Sequence, residues 1–192
     1  MNTPKDSRPL YRFVILVPHR DATLPFQIYR EKLFASGYYG AFSFPLAAPL
    51  AALSGPLARD ELKELGRNIR GLTKANEGKI SGALNTVANF YDEFAFFGPR
   101  LNLQIEESLF GESARGKLLH TPESAVLCAA LLDSGANPVT EGGAAISFRS
   151  AFLANLAIRP LDSGERAFSF EWKIGGEVWL PKFTSRRGIF SN

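Results

Sequence analysis

Arg12-Phe13-Val14-Ile15-Leu16-Val17-Pro18 is the stretch from which the fold is read. It is an unbroken apolar run with three β-branched members, and it stops at a proline. A helix needs roughly 10–12 residues to be worth forming, so a run this short and stiff predicts a buried strand. Downstream, Leu24 to Ser36 has Pro25 near its start, Phe26, Tyr29 and Leu33 at helical spacing, and Gly37 where a terminal glycine belongs. These signals predict a helix. Ala41 to Leu50 then returns as a strand.

The same reading extends along the chain. Arg59 to Lys74 spaces Leu62, Leu65, Ile69 and Leu72 by three and four residues, which predicts a surface helix with one buried stripe, weakened by Gly66 and Gly71. After a turn over Asn76 to Gly78, Lys79 to Phe97 reads as one or two strands. Arg100 to Glu106 alternates Leu101, Leu103 and Ile105 with polar neighbours and predicts a half-buried strand. Thr121, Pro122 and Glu123 carry the signals of a helix start, so a helix is expected over residues 121–133, ending before Gly135. Ala145 to Ile158 reads as a strand. Phe168, Phe170, Trp172 and Ile174 alternate up to Gly175-Gly176, read as the two-residue turn of a hairpin that continues over Glu177 to Leu180. The order strand, helix, strand therefore occurs twice, over residues 12–50 and 100–158, and predicts an internally duplicated α+β fold.

Composition narrows the class. With 192 residues, 45% hydrophobic and 21% charged, the chain is of ordinary globular make-up and long enough to bury a core without metals or disulfides. Residues 1–10 are expected to be a flexible segment, 11–183 one two-lobed domain, and 184–192 a flexible tail. The polar start Met1 to Pro9 lacks the apolar run of a leader, and no stretch approaches the ~20 apolar residues of a membrane span. A cytoplasmic location is expected. Cys128, the single cysteine, lies in the apolar run Ala125 to Leu132 and reads as core. The net charge of +3 is spread along a chain that mixes both signs, which argues only weakly for nucleic acid. Lys182, Arg186 and Arg187 near the end read as solvated.

With these elements in place, the strand RFVILVP and the phenylalanine–proline strand after the first helix resemble the 2H phosphoesterases, which include the RNA 2',3'-cyclic phosphodiesterases and 2'-5' RNA ligase-like proteins. The resemblance covers roughly Tyr11 to Lys182. It implies an α+β fold of two similar lobes of antiparallel strands with helices outside. It also implies, on one strand of each lobe, a histidine and, two residues on, a threonine or serine. Residues two apart in a strand share a face, so each lobe would present an imidazole and a hydroxyl to a central groove. One imidazole then takes a proton while the other donates one.

The corresponding frames here are Phe44-Pro45-Leu46-Ala47-Ala48-Pro49-Leu50 and Ser150-Ala151-Phe152-Leu153-Ala154-Asn155-Leu156-Ala157. Ala47 and Leu153 stand in the histidine positions, and Pro49 and Asn155 in the hydroxyl positions. The chain has two histidines, His19 and His120, and neither falls in a frame. No catalytic residue is therefore assigned, and no metal or cofactor is expected.

Binding is the role that remains. Arg149, Asn155 and Arg159 recur at even spacings along the second frame and are the candidate ligand contacts, since guanidinium forks suit phosphate. Ala47, Ala48, Ala51 and Ala52 suggest instead a surface closed by packing, or one that receives a partner protein or a second copy. The phenylalanines at 90, 94, 96 and 97 read as core, accompanied as they are by Asp92 and Glu93, which would repel phosphate. Gly142-Gly143 and Gly175-Gly176 lack a phosphate-loop pattern and read as turns. Asp21, Glu93, Glu106, Glu107 and Glu171 are the carboxylates available to an unrelated chemistry in the same groove, and they form no recognisable spacing.

Overall fold

Residues 12–17 form the middle of β1 (Tyr11–Pro18), and the reason the run is unbroken is that both faces of this strand are covered. Phe13 and Ile15 enter one apolar cluster, while Val14 and Leu16 enter another, and all four are essentially inaccessible to solvent. The computed structural model describes residues 9–19, 23–37, 41, 44–91, 94–133, 145–160 and 170–180. Residues 1–8 of the expected flexible start, the expected flexible tail, the Gly142-Gly143 turn, Phe168 and the carboxylates Asp21 and Glu93 lie outside them.

Around β1 is an antiparallel sheet in the order β10 (Phe170–Leu180), β9 (Ala151–Pro160), β1, β2 (Ala48–Leu53), β5 (Leu118–His120). A second antiparallel sheet runs β6 (Ser124–Val126), β4 (Phe94–Gln104), β3 (Ile80–Tyr91), β8 (Ile146–Phe148), with β7 (Ala130–Asp133) also on β4. Among the described residues, helices α1 (Leu24–Ala35) and α2 (Arg59–Thr73) are the two substantial ones; α3 (Glu112–Arg115) is a single turn. The fold is thus mixed α+β, mostly antiparallel.

The stripe read on α2 is buried at Leu62, Leu65 and Ile69, but Leu72 is 40% exposed and Thr73 takes its place inside. Gly66, a weak point by propensity, packs against β9 and β10: a Cβ there would press into Leu180 and touch Leu153. At the start of α2, Glu61 reaches back to the Ala58 N–H at 2.6 Å and meets Lys117 Nζ at 2.6 Å. Burial alone would push this carboxyl up, but the hydrogen bonds from Lys117, Ala58 and Ser113 outweigh it and hold the group below its ordinary value.

Four expectations are corrected. Residues 121–133 are not a helix: they form β6 and β7, linked by a buried crossing. Leu127 N–H donates to Pro99, Ala129 N–H to Phe97 and Cys128 N–H to Ala47. Gly98 lets this crossing lie against β4, since any Cβ would run into the Leu127 carbonyl. A run from Ala125 to Ala130 that is buried on all sides has no polar face to give a surface helix, and tertiary contacts override the capping signals. Residues 145–158 are two strands in different sheets, β8 and β9, because the chain bends at Arg149-Ser150. The second strand–helix–strand unit is therefore not formed as read. The first frame's strand is β2, which begins at Ala48 and runs on to Leu53. Gly175-Gly176 is no hairpin turn either: β10 pairs with β9 on both sides of it, and the glycines form a bulge with Gly176 at φ +70°.

Cys128 is core, as read. Burial pushes its thiol up to about 12, against the smaller opposing effects of Arg30 and a backbone hydrogen bond from Phe97. Thiol reagents are expected to modify it roughly 100-fold or more slowly in the native protein than in denaturant. An unfolded thiol ionises near 9 while the folded one stays protonated to about 12. In that window the native state holds the extra proton, so stability falls as pH rises from about 9 toward 12, and denaturant titrations across it check the sign.

Candidate functional site

The register of the first sheet decides how the frame positions are disposed. Leu16 on β1 lies opposite Ala48 on β2 and Leu153 on β9, and Val14 lies opposite Asn155. Ala48, Leu16 and Leu153 therefore form one row on the face covered by α2. Ile15 lies opposite Pro49 and Ala154. Pro49 is thus on the other face, where Ala47 packs with Phe13, Phe44, Phe96 and Cys128. Ala47 and Leu153 are buried in different clusters and do not face each other across a groove. The frame is slipped by one residue between the two strands.

The slip does not rescue proton transfer. On the α2 face the four positions would be Ala48, Leu50, Leu153 and Asn155; on the other they would be Ala47, Pro49, Ala154 and Leu156. Seven of these eight side chains are hydrocarbon, and the eighth is already engaged. Asn155 Nδ2 donates to the Leu57 carbonyl and its Oδ1 accepts the Leu57 N–H, each at 2.8 Å. This amide clasps the segment leading into α2.

The two described imidazoles are at opposite ends of β1. His120 lies opposite Ala52, which lies opposite Phe13. His19 follows the strand and donates its N–H to the Ser150 carbonyl. Six residues of strand separate Phe13 from His19, about 20 Å, which is too far for a paired acid and base. His120 borders a cleft of about 540 Å³ with Tyr91, Arg12 and Leu119, and its ring meets Tyr91 edge-on at 5.3 Å. Burial pushes the Tyr91 phenol up, so it stays protonated and cannot serve as a base.

Arg149 is exposed at the bend between β8 and β9, whereas Arg159 is near the far end of β9, opposite Glu171. Eight strand residues between 151 and 159 span about 26 Å. The structure does not bring the two arginines together on one small anion, and Asn155 between them is occupied.

Cationic groups do converge elsewhere. Lys63, Arg67 and Arg70, spaced four and three residues apart on α2, line a cleft of about 420 Å³ whose opposite wall is Val178 to Leu180 of β10. Asp60 also borders it and pairs with Lys63 at 2.8 Å. In sequence, a basic row on a surface helix is indistinguishable from an ordinary solvated face. Its spacing was visible; the strand that turns it into a cleft was not. Among the described residues no three His, Cys, Asp or Glu side chains could hold a metal ion, and no helix is long and apolar enough to cross a membrane.

Fold and site together define a mixed α+β protein of two mostly antiparallel sheets. Comparison of the chain with protein-family models, with curated proteins and with solved structures finds no match in any of the three.

Proposed function

We propose that this chain is a 2H phosphoesterase-like protein that binds an anionic, phosphate-bearing ligand without cleaving it, in the cytoplasm. The observation that carries the reading is that the frame positions on both faces of β2 and β9 are hydrocarbon except Asn155, whose amide is spent on Leu57. An alkyl group neither accepts nor donates a proton, and each positioned acid or base is worth about 10²–10⁴-fold in rate. The sequence frame and the mixed α+β, mostly antiparallel architecture support the architectural half of the proposal, with both frame strands, β2 and β9, flanking β1 in one sheet. Incubation with a 2',3'-cyclic nucleotide, followed by chromatography of the products, is expected to give hydrolysis at the background rate. Hydrolysis above background by the unaltered protein would refute the reading, and loss of that turnover on replacing His19 or His120 by alanine would name the residue responsible.

A protein partner is the second reading. Trp172 and Trp179 are 43% and 57% exposed on β10, which pairs only with β9 among the described residues. Exposed tryptophans on a sheet edge are a common anchor for another chain.

A further inference from the structure

We propose that the cleft between α2 and β10 is a receptor for a phosphate monoester, carried by a small molecule or by a nucleic-acid end. This rests on the binding role proposed above and gives it a place and a ligand chemistry. Three observations lead to it. Arg67 and Arg70 are three residues apart on a helix, where side chains start about 5–6 Å from each other, so both guanidinium forks reach one group of oxygens. Lys63 is engaged by Asp60, which leaves the two arginines as the uncompensated charge of the cleft. The Nε of Arg70 is buried and has no hydrogen-bond partner among the described residues.

That last feature separates this row from an ordinary solvated one. Arg70 is half-buried at the cleft wall with its Nε turned away from solvent, so its guanidinium is held in place and the terminal nitrogens are the ones left to meet an anion. Charge matching selects the ligand: a phosphate monoester carries about −1.5 to −2 at neutral pH, which two guanidiniums balance, whereas one carboxylate leaves a guanidinium unanswered. The apolar wall at Val178 and Leu180 suits the organic part that such a phosphate is attached to.

The test is calorimetric titration of the intact chain with adenosine 5'-monophosphate, a 5'-phosphorylated tetranucleotide, inorganic phosphate and unphosphorylated adenosine. The phosphorylated probes are expected to bind and adenosine not to. Arg67→Ala and Arg70→Ala are each expected to weaken binding by about 10-fold or more, with partial recovery in Arg70→Lys and no change in Arg100→Ala, at an exposed position on β4 outside the cleft. Tighter binding of the tetranucleotide than of the mononucleotide assigns the source as a nucleic-acid end; equal binding assigns a small molecule. Circular dichroism of each variant verifies that it is folded, and Arg67, being exposed, provides a second probe if Arg70→Ala unfolds. No binding of any phosphorylated probe up to millimolar concentration, or binding that both alanine variants retain, overturns the proposal. Hydrolysis of a cyclic nucleotide would sink the non-catalytic reading and leave this cleft standing, so the two failures are distinct.

Discussion

Asn155→Leu is expected to lower the stability of the folded chain by about 2–4 kcal/mol and its Tm by roughly 5–15 °C. The substitution keeps the volume but removes both partners of the Leu57 backbone, whose N–H and carbonyl each meet the Asn155 amide at 2.8 Å. Leu57 is 4% exposed, so water does not freely replace what is lost, and each orphaned group costs about 1–3 kcal/mol. Asn155→Asp is the informative companion, because a carboxylate accepts the N–H but leaves the carbonyl without a donor. Urea titrations of the three proteins measure the effect. A loss under about 1 kcal/mol would mean that the clasp is dispensable and Asn155 is free for another task.

Arg30→Met is expected to cost about 3–5 kcal/mol, the larger of the two effects. Arg30 is only 5% exposed, on the inner side of α1, and donates Nε to the Ala129 carbonyl at 3.2 Å and a terminal nitrogen to the Phe44 carbonyl at 2.5 Å. One side chain thus ties α1 to the crossing before β7 and to the segment before β2. Burial pulls its guanidinium below the ordinary value, and the nearby Cys128 opposes that. Removing the desolvated charge offsets part of the loss. The two carbonyls remain, however, and methionine cannot donate to them, so the penalty for unmade bonds dominates. Arg30→Lys should fall between the two, since an ammonium lacks the planar fork that spans both acceptors. A shift in denaturation midpoint smaller than that of Asn155→Leu would contradict this ordering.

How much of this was legible depended on whether a signal was local. The strand at residues 12–17 and the helices near 24–36 and 59–74 follow from apolar spacing, proline and glycine, and those properties act within a turn or two of the chain. That no histidine falls in either frame was also legible, because it needs only residue types, and a slip of one position exchanges one hydrocarbon for another. The slip itself was not. It follows from which neighbour each strand pairs with, and β1 was found between β2 and β9, with an irregularity in the β1–β2 register between Val14 and Ile15.

Residues 121–133 show the limit most plainly. Thr121, Pro122 and Glu123 are sound capping residues, yet the crossing at residues 127–129 between β6 and β7 is held by backbone bonds to Pro99, Ala47 and Phe97, partners that lie tens of positions away in sequence. Arg30 is similar: it shares a helical face with Phe26 and Leu33, so its inward direction was implied, but its acceptors were not. The α2–β10 cleft likewise joins residues more than a hundred positions apart.

What the sequence determined by itself was the mixed α+β class, the strand at residues 12–17, the helices near 24–36 and 59–74 and the hydrocarbon residues in the histidine positions of both frames, since periodicity and residue type suffice for each. Only the tertiary structure decided which faces Ala47 and Leu153 occupy, what Asn155 and Arg30 hold, and where the cations gather. Backbone pairing and burial bring distant residues together, and a β-strand displaced by one position turns every side chain to the opposite face.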